Sequence, residues 1–493
     1  MAKTVTTPTP PPTREPTGVP NLDLVLDGGL SRGALVIIVG PPGSGKTTLA
    51  NQMAFAATSK SQSTIVFSAL SEPTSKLIEH LRTYQFFKGE LVGDAIQFLS
   101  LEQFISADLE EASQAIISSA RQAKAHFVVL DGFRGMRGAN VDPQVARQFL
   151  YDVGTSLSLF GTTTVITSEV EPRDPNFFPE TTTADVIIGL HYDLVGIRQQ
   201  RGIEAVKVRG ASPLSGLHGL ELDHSGLIVY PRLETQAIPP TQQFMEYGAG
   251  SANTTPIVAA PPVEGVPFDL PELDAMLHGG ISRGSNSLVV GPLNTGKTLL
   301  GLRFALVGAE AGEPTLFLGF RETLEQLQQK TDGFAQFAGL NAALGPTGNL
   351  VLQRWEPIEL SPDRVIHHLM LALDRIHARR LVVDSLAEIR RAVRESSGAA
   401  RQANYFAALQ AALRTRGITS IFILETPLDL VELTDDFAAM QTDTILRLHH
   451  TTEDMLFQRR IQVVKTRFTS AEVQERSITI SAPEGIRVRS VEG

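Results

Sequence analysis

Gly40-Pro41-Pro42-Gly43-Ser44-Gly45-Lys46-Thr47 and Gly291-Pro292-Leu293-Asn294-Thr295-Gly296-Lys297-Thr298 share the pattern G-x-x-x-x-G-K-T. Glycines at these places let backbone N–H groups close around a polyphosphate. The lysine neutralises charge on the outer phosphates, and the threonine hydroxyl is a ligand for Mg2+. The chemistry implied is triphosphate binding at two places in one chain. The first set of candidate nucleotide contacts is Gly40, Gly43, Ser44, Gly45, Lys46, Thr47 and Thr48. The second is Gly291, Asn294, Thr295, Gly296, Lys297, Thr298 and Leu299.

Two aspartates complete a metal site in this reading. Phe127-Val128-Val129-Leu130 runs into Asp131, and Leu381-Val382-Val383 runs into Asp384. A carboxylate at the carboxyl end of a buried strand can hold Mg2+ beside a phosphate loop, so Thr47 with Asp131 and Thr298 with Asp384 are the expected metal pairs. An aspartate that merely caps the next turn is the alternative. The strand after each loop helix ends at Ser71-Glu72 and Arg321-Glu322, where Glu72 or Glu322 could activate water against a γ-phosphate. Each glutamate would also suit the start of a helix, stabilised by the dipole.

Lys207-Val208-Arg209 and Lys465-Thr466-Arg467 end corresponding late strands. Period-two spacing puts both cations of a pair on one side of a strand. Solvated edge residues often look like this, but the pair recurs in both halves after an aspartate-led strand (Asp185, Asp443). That recurrence favours a role, and positive charge reaching a neighbour's γ-phosphate would act like an arginine finger in trans.

Such groups need strands and helices to aim them. Each loop follows an apolar run, Ala34 to Val39 or Leu288 to Val290, and a helix beginning behind the loop adds a favourable dipole. Further runs alternate with helical stretches at the spacing of a parallel sheet covered by helices. In the first half these are Thr64 to Phe67, Phe127 to Leu130, Thr163 to Thr167, Val186 to Leu190 and Ala205 to Val208. The second half repeats them at Thr315 to Leu318, Leu381 to Val383, Ser420 to Leu424, Thr444 to Leu448 and Gln462 to Val464. Hairpins are expected around Leu220 to Val229 and Ile478 to Val488. Gly28-Gly29-Leu30-Ser31-Arg32-Gly33 also recurs as Gly279-Gly280-Ile281-Ser282-Arg283-Gly284, so the halves are a duplicated domain.

The fold class is therefore α/β, with two tandem phosphate-loop domains, each a mainly parallel twisted sheet flanked by helices. Expected boundaries are a flexible arm at 1–16, a first domain at 17–233, a Pro- and Gly-rich linker at 234–262 and a second domain at 263–493. The chain of 493 residues has no cysteine, which excludes disulfides, zinc-thiolate sites and thiol nucleophiles. A net charge of -10 disfavours a bulk surface that attracts DNA or anionic lipid. No apolar run approaches the roughly 18 residues of a membrane span, and the start lacks a secretory pattern, so a cytoplasmic protein is expected.

With the GGLSRG and GGISRG entries, both loops, the strand-end aspartates, Thr442-Asp443-Thr444-Ile445-Leu446 and the K-x-R pairs, the chain resembles the KaiC family, double-domain ATPases of the RecA superfamily. The resemblance runs from about Gly18 to the C-terminus. It implies RecA-like domains, ATP with Mg2+ at subunit interfaces, a homohexamer of two stacked rings, and protein partners in timing or signalling. By the same likeness Lys207, Arg209, Lys465 and Arg467 would reach the adjacent subunit's nucleotide. Two departures stand out. The family usually has paired glutamates where this chain has Ser71-Glu72 and Arg321-Glu322, and its Ser-Thr phosphoacceptor pair is replaced by Ala439 and Met440. Slow ATP turnover without autokinase activity is the expectation. A scaffold held together by nucleotide is the alternative, and a RecA-like DNA repair motor fits less well because no arginine- or aromatic-rich DNA-binding segment is evident.

Overall fold

The computed structural model describes residues 14–59, 61–68, 74–101, 109–133, 143–173, 182–236, 264–425, 436–453, 456–467 and 475–490. The chain divides into two units between Arg232 and Leu233.

In the first unit the strand Leu35–Val39 is apolar throughout and buried at every position. Side chains alternate between the faces of a strand, so an unbroken apolar run requires cover on both. Val36 and Ile38 enter one core with the helix Lys46–Ala57, while Leu35, Ile37 and Val39 enter another with the helices Leu109–Gln122 and Pro143–Leu159. Leu35–Val39 lies centrally in a nine-stranded sheet, between Thr163–Ser168 and Val186–Val195. Ala125–Asp131, Ser63–Ser68 and Ile96–Ser100 extend the parallel part on one side. On the other side Arg198–Val208, His218–Asp223 and Gly226–Tyr230 follow Val186–Val195 as an antiparallel meander.

The second unit repeats this plan. Asn286–Gly291 sits between Thr419–Glu425 and Thr444–Glu453. Arg380–Asp384, Thr315–Gly319 and Leu350–Arg354 continue the parallel side, and Leu456–Thr466, Arg476–Ser481 and Gly485–Ser490 complete the antiparallel side. Each unit is thus a RecA-like α/β domain with a mainly parallel sheet between helices. The expected strands and both closing hairpins are present. Ile96–Ser100 and Leu350–Arg354 are additional edge strands, whose partly exposed, partly polar sequences do not form unbroken apolar runs.

Two boundaries differ from expectation. Arg14–Glu15 does not belong to an arm but pairs antiparallel with Leu30–Ser31, and the Arg14 guanidinium donates to the carbonyls of Leu26 and Gly29. Leu233 does not close the first domain. The short helix Leu233–Gln236 packs in the second unit's core beside Leu409 and Leu413, where Glu234 meets Arg401.

Candidate functional site

Both loops leave their strands at a glycine that has no room for a side chain. A Cβ on Gly40 would lie 2.5 Å from the Leu190 carbonyl oxygen, and one on Gly291 would lie 2.1 Å from that of Leu448. The chain next needs left-handed backbone, supplied by Gly43 and Gly45 in the first loop and by Asn294 and Gly296 in the second. Asparagine is the residue besides glycine that best tolerates this region, so GPLNTGKT closes the same cradle as GPPGSGKT. The helices Lys46–Ala57 and Lys297–Glu310 start directly after it, which aims their N-termini at the cradle.

Lys46 Nζ donates to the carbonyls of Gly40 and Pro41 at 2.9 Å. Lys297 Nζ donates to Pro292 O at 2.6 Å, and Thr295 Oγ1 caps the same carbonyl at 3.0 Å. Burial lowers the pKa of both ammonium groups. Glu169, Asp131 and Glu171 oppose this at Lys46. At Lys297, Glu425 and Asp384 oppose it while the Arg321 charge adds to it. Ser44 Oγ is buried without a hydrogen-bond partner. Thr48 and Leu299 are buried at the starts of the helices.

The threonine–aspartate pairs form in both domains. Thr47 Oγ1 donates to Asp131 Oδ1 at 3.1 Å, and Thr298 Oγ1 donates to Asp384 Oδ2 at 2.6 Å. Thr167 also donates to Asp131, and its oxygen accepts the Gly132 N–H at 2.8 Å. In the second sheet Ile423 lies in register with Asp384 and offers no such hydroxyl. Burial is the main cause that raises both carboxyl pKa values, and the threonine hydrogen bonds counter it. A hard oxygen pair of this kind, costly to ionise alone, fits a divalent cation. The buried, unpaired Ser44 hydroxyl and the lysines folded onto their own loop carbonyls fit a polyphosphate in the cradle.

Around the second loop a cleft of about 430 Å3 brings together Lys297, Thr298, Asp384, Arg321, Glu322 and Glu425. Glu322 is ion-paired with Lys330. Arg321 bridges Glu388 and Glu425. Glu72 lies outside the described residues, as does its neighbour Ser71.

The K-x-R pairs are not gathered at these loops. Val208 pairs with Val186, which pairs with Val36, and Lys465 pairs with Ile445, which pairs with Leu288. Each pair therefore stands at the end of the sheet where the loop-bearing strand begins, opposite that strand's loop. Arg209 meets Asp185 at 3.2 Å. Lys465 Nζ donates to the carbonyls of Ala439 and Met440, and Arg467 donates to Met440 O at 2.8 Å.

Several residues in this setting were missed from sequence. Glu169, directly after Thr163–Ser168, and Glu425, the last residue of Thr419–Glu425, place acidic charge near the loop lysines. Arg201 donates to Gly43 O at 3.4 Å, and Arg459 to Asn294 O at 2.9 Å. Both arginines lie the same distance upstream of their K-x-R pair, and both acids stand at the end of the same strand of the repeat, so recurrence was the available signal.

The family model described as ATPase: KaiC matches residues 15–234 and again 266–492. The chain belongs to the KaiC ATPase family. It is 24% identical to circadian clock oscillator protein KaiC 1 of Synechocystis sp., over 95% of this chain and 88% of that protein. It is 26% identical to circadian clock protein KaiC3 of the same organism, over 92% and 87%. Identity is 23% to circadian clock oscillator protein KaiC of Rippkaea orientalis, over 95% and 87%. As a KaiC-family chain it carries two tandem nucleoside-triphosphate-binding domains. The departures noted above occupy defined places: Arg321 stands in the second cleft, and the carbonyls of Ala439 and Met440 receive Lys465 and Arg467. Among the described residues no helix is long and apolar enough to cross a membrane.

Proposed function

We propose that this protein is a ring-forming regulatory ATPase that binds ATP and Mg2+ in both domains and hydrolyses it slowly. The observation that carries the reading is the repeated constellation of loop lysine, helix-start threonine and strand-end aspartate, with the threonine–aspartate hydrogen bond present twice. Lys46 and Lys297 leave their own loop carbonyls for the β- and γ-phosphates, while the glycine cradles and helix N-termini orient the chain of phosphates. Thr47 with Asp131 and Thr298 with Asp384 would hold Mg2+, which when bound neutralises charge on the β- and γ-oxygens. Glu72 and Glu322 position the attacking water. At the second site Glu322 must first leave Lys330, which makes slow turnover the expectation.

The place of the K-x-R pairs supports assembly. Four cations at the sheet ends opposite their own loops cannot serve those loops, but in a ring they would face a neighbour's. A homohexamer of two stacked rings gives each pair such a neighbour, and γ-phosphate then becomes part of the subunit contact. Nucleotide state would thereby control ring geometry and the docking of a protein signalling partner. Ala439 and Met440 have no hydroxyl to accept a phosphoryl group, so autokinase activity is not part of the proposal. A scaffold reading, with ATP held and scarcely hydrolysed, draws support from the ion pairs that engage Arg321 and Glu322 in the second cleft.

Particle mass measured with and without ATP and Mg2+, together with phosphate release, tests both readings. Hexamers with turnover that is lost in Lys46→Ala/Lys297→Ala support the ATPase. Hexamers without turnover favour the scaffold, and monomers in saturating ATP and Mg2+ refute both.

A further inference from the structure

The second domain carries an arginine and a buried carboxylate that the first lacks. Ser71 corresponds to Arg321, and counting on from the strand-end aspartates Gly135 corresponds to Glu388. Arg321 Nε and Nη2 both lie 3.1 Å from Glu388 Oε1, and Nη1 reaches Glu425. Arg321 and Glu425 therefore line the same cleft as Lys297, Thr298 and Asp384, while Glu388 holds Arg321 from a buried position.

Three features show what the arginine is free to do. Its side chain is 52% exposed toward the cleft, whereas Glu388 is buried. Glu388 has a second cation, with Arg391 Nη2 at 2.8 Å from Oε2, so it is not stranded when Arg321 departs. Glu425 is partly exposed and can be solvated in its place. Arg321 and Lys297 already repel one another through the cleft, a repulsion that a polyanion between them would relieve.

We propose that Arg321 is a ligand for the terminal phosphate at the second site, supplied by the same domain that holds the nucleotide. Glu388 and Glu425 hold it in wait, and the terminal phosphate of ATP takes it over through its planar fork of N–H donors. ADP has no γ-phosphate at that place and gains less. Arg321 is thus a specificity determinant for triphosphate over diphosphate, at a position where the family usually carries a carboxylate. The inference rests on the nucleotide-binding reading above.

The test uses the full chain carrying Lys46→Ala, so that only the second site is read, and measures Kd for adenylyl imidodiphosphate and for ADP with Mg2+ by calorimetry. Arg321→Gln is expected to weaken the triphosphate analogue by about 10-fold or more and ADP by less than about 3-fold, the size of one lost charge-assisted hydrogen bond. Glu425→Gln removes a competitor and is expected to raise the preference for the triphosphate. That gain should vanish in Arg321→Gln/Glu425→Gln, a coupling that damage to the fold would not produce. Equal losses for both nucleotides, or a gain that survives in the double variant, overturn the role of Arg321 while leaving nucleotide binding intact. Absence of binding by either nucleotide in Lys46→Ala overturns the binding reading itself.

Discussion

Asp384→Asn should make the empty protein more stable and the nucleotide-loaded protein less stable. Asn keeps an oxygen to accept the Thr298 hydroxyl, now at 2.6 Å, and removes the charge. The Asp384 side chain is partly buried, and this desolvation raises its pKa above the ordinary 3.8. The sign follows directly. A folded-state pKa above the unfolded value favours folding below the unfolded pKa, and that advantage disappears as pH rises through the folded pKa. Near neutrality the empty protein therefore bears a partly buried charge, answered by the Thr298 hydroxyl and the Lys297 and Lys330 charges and opposed by Glu322. Because Asp384 is only partly buried, relief of that cost should be about 1–2 kcal/mol, which for a domain of this size is roughly 2–4 °C in Tm per kcal/mol. With ATP and Mg2+ at about 100 times Kd, the wild-type site gains about 2.7 kcal/mol. If loss of the metal ligand weakens binding about 100-fold, the gain falls to about 0.4 kcal/mol. Scanning calorimetry of both proteins, each without ligand and with ATP and Mg2+, should show the order of the second-domain transitions reverse. An Asn variant less stable than wild type without ligand, or one that keeps the full ligand shift, would refute the assignment of Asp384 as a metal ligand.

Replacing Lys207 and Arg209 together with alanine should loosen first-domain assembly, seen in sedimentation as a higher ATP concentration needed for hexamers, whereas alanine at Arg82 and Lys88 should not. Prolonged incubation with ATP and Mg2+ should leave residues 434–442 unphosphorylated by mass spectrometry, and stoichiometric modification at Thr434 or Thr442 would mean that phosphoryl transfer has moved to a new acceptor. Arg401→Ala should destabilise the second domain by about 3–5 kcal/mol, because Glu234 and Asp363 would lose the guanidinium they share while remaining buried. Chemical denaturation should detect this as a shift of one transition, and a change below about 1 kcal/mol would mean that the two carboxylates find other compensation.

What the sequence made legible was what depends on local pattern. Leu35–Val39 was readable because helices cover both faces of the sheet and each of its positions is apolar, and Asn286–Gly291 was readable through its apolar middle, Leu288 to Val290. The long hairpin Val186–Val195 with Arg198–Val208 was readable only in its inner part, since residues such as Asp193 and Gln199 extend the pairing with polar side chains. Arg14 and Glu15 looked like the end of a Pro-rich arm because their order comes from Leu30–Ser31, a partner that no local pattern reveals. Leu233 looked like the end of the first domain and Glu234 like the start of a linker for the same reason: their partners belong to a distant helix. In the site, lysine, threonine and aspartate were found through motif and repeat. The pairings of Arg321 with Glu388 and Glu425 span 67 and 104 residues, and the first-half sequence has Ser71 and Gly135 at the places of Arg321 and Glu388, so neither motif nor repeat could expose them.

The asymmetry between the sites has a catalytic consequence. Around Lys46 the charges that oppose its burial are carboxylates, those of Glu169, Asp131 and Glu171. Around Lys297 the carboxylates of Glu425 and Asp384 are joined by the Arg321 guanidinium. A cation that grips the terminal phosphate in bound ATP stabilises the ground state, and unless its grip strengthens as the phosphoryl group departs, it lowers Kd without raising kcat. With Glu322 paired to Lys330, the second site has the means to hold ATP and a hindered means to cleave it. An ATPase built from two copies of one cradle can in this way separate tasks that a single site must compromise between. In the proposed ring assembly, a retained triphosphate in one ring would keep subunits together while the other ring turned over. The separation predicts that Arg321→Ser, which restores the first-half residue, shortens the lifetime of ATP in the second site chiefly through faster dissociation. Filter binding in the Lys46→Ala background would measure that lifetime, and a faster cleavage rate with unchanged dissociation would instead place Arg321 among the groups that restrain the chemical step.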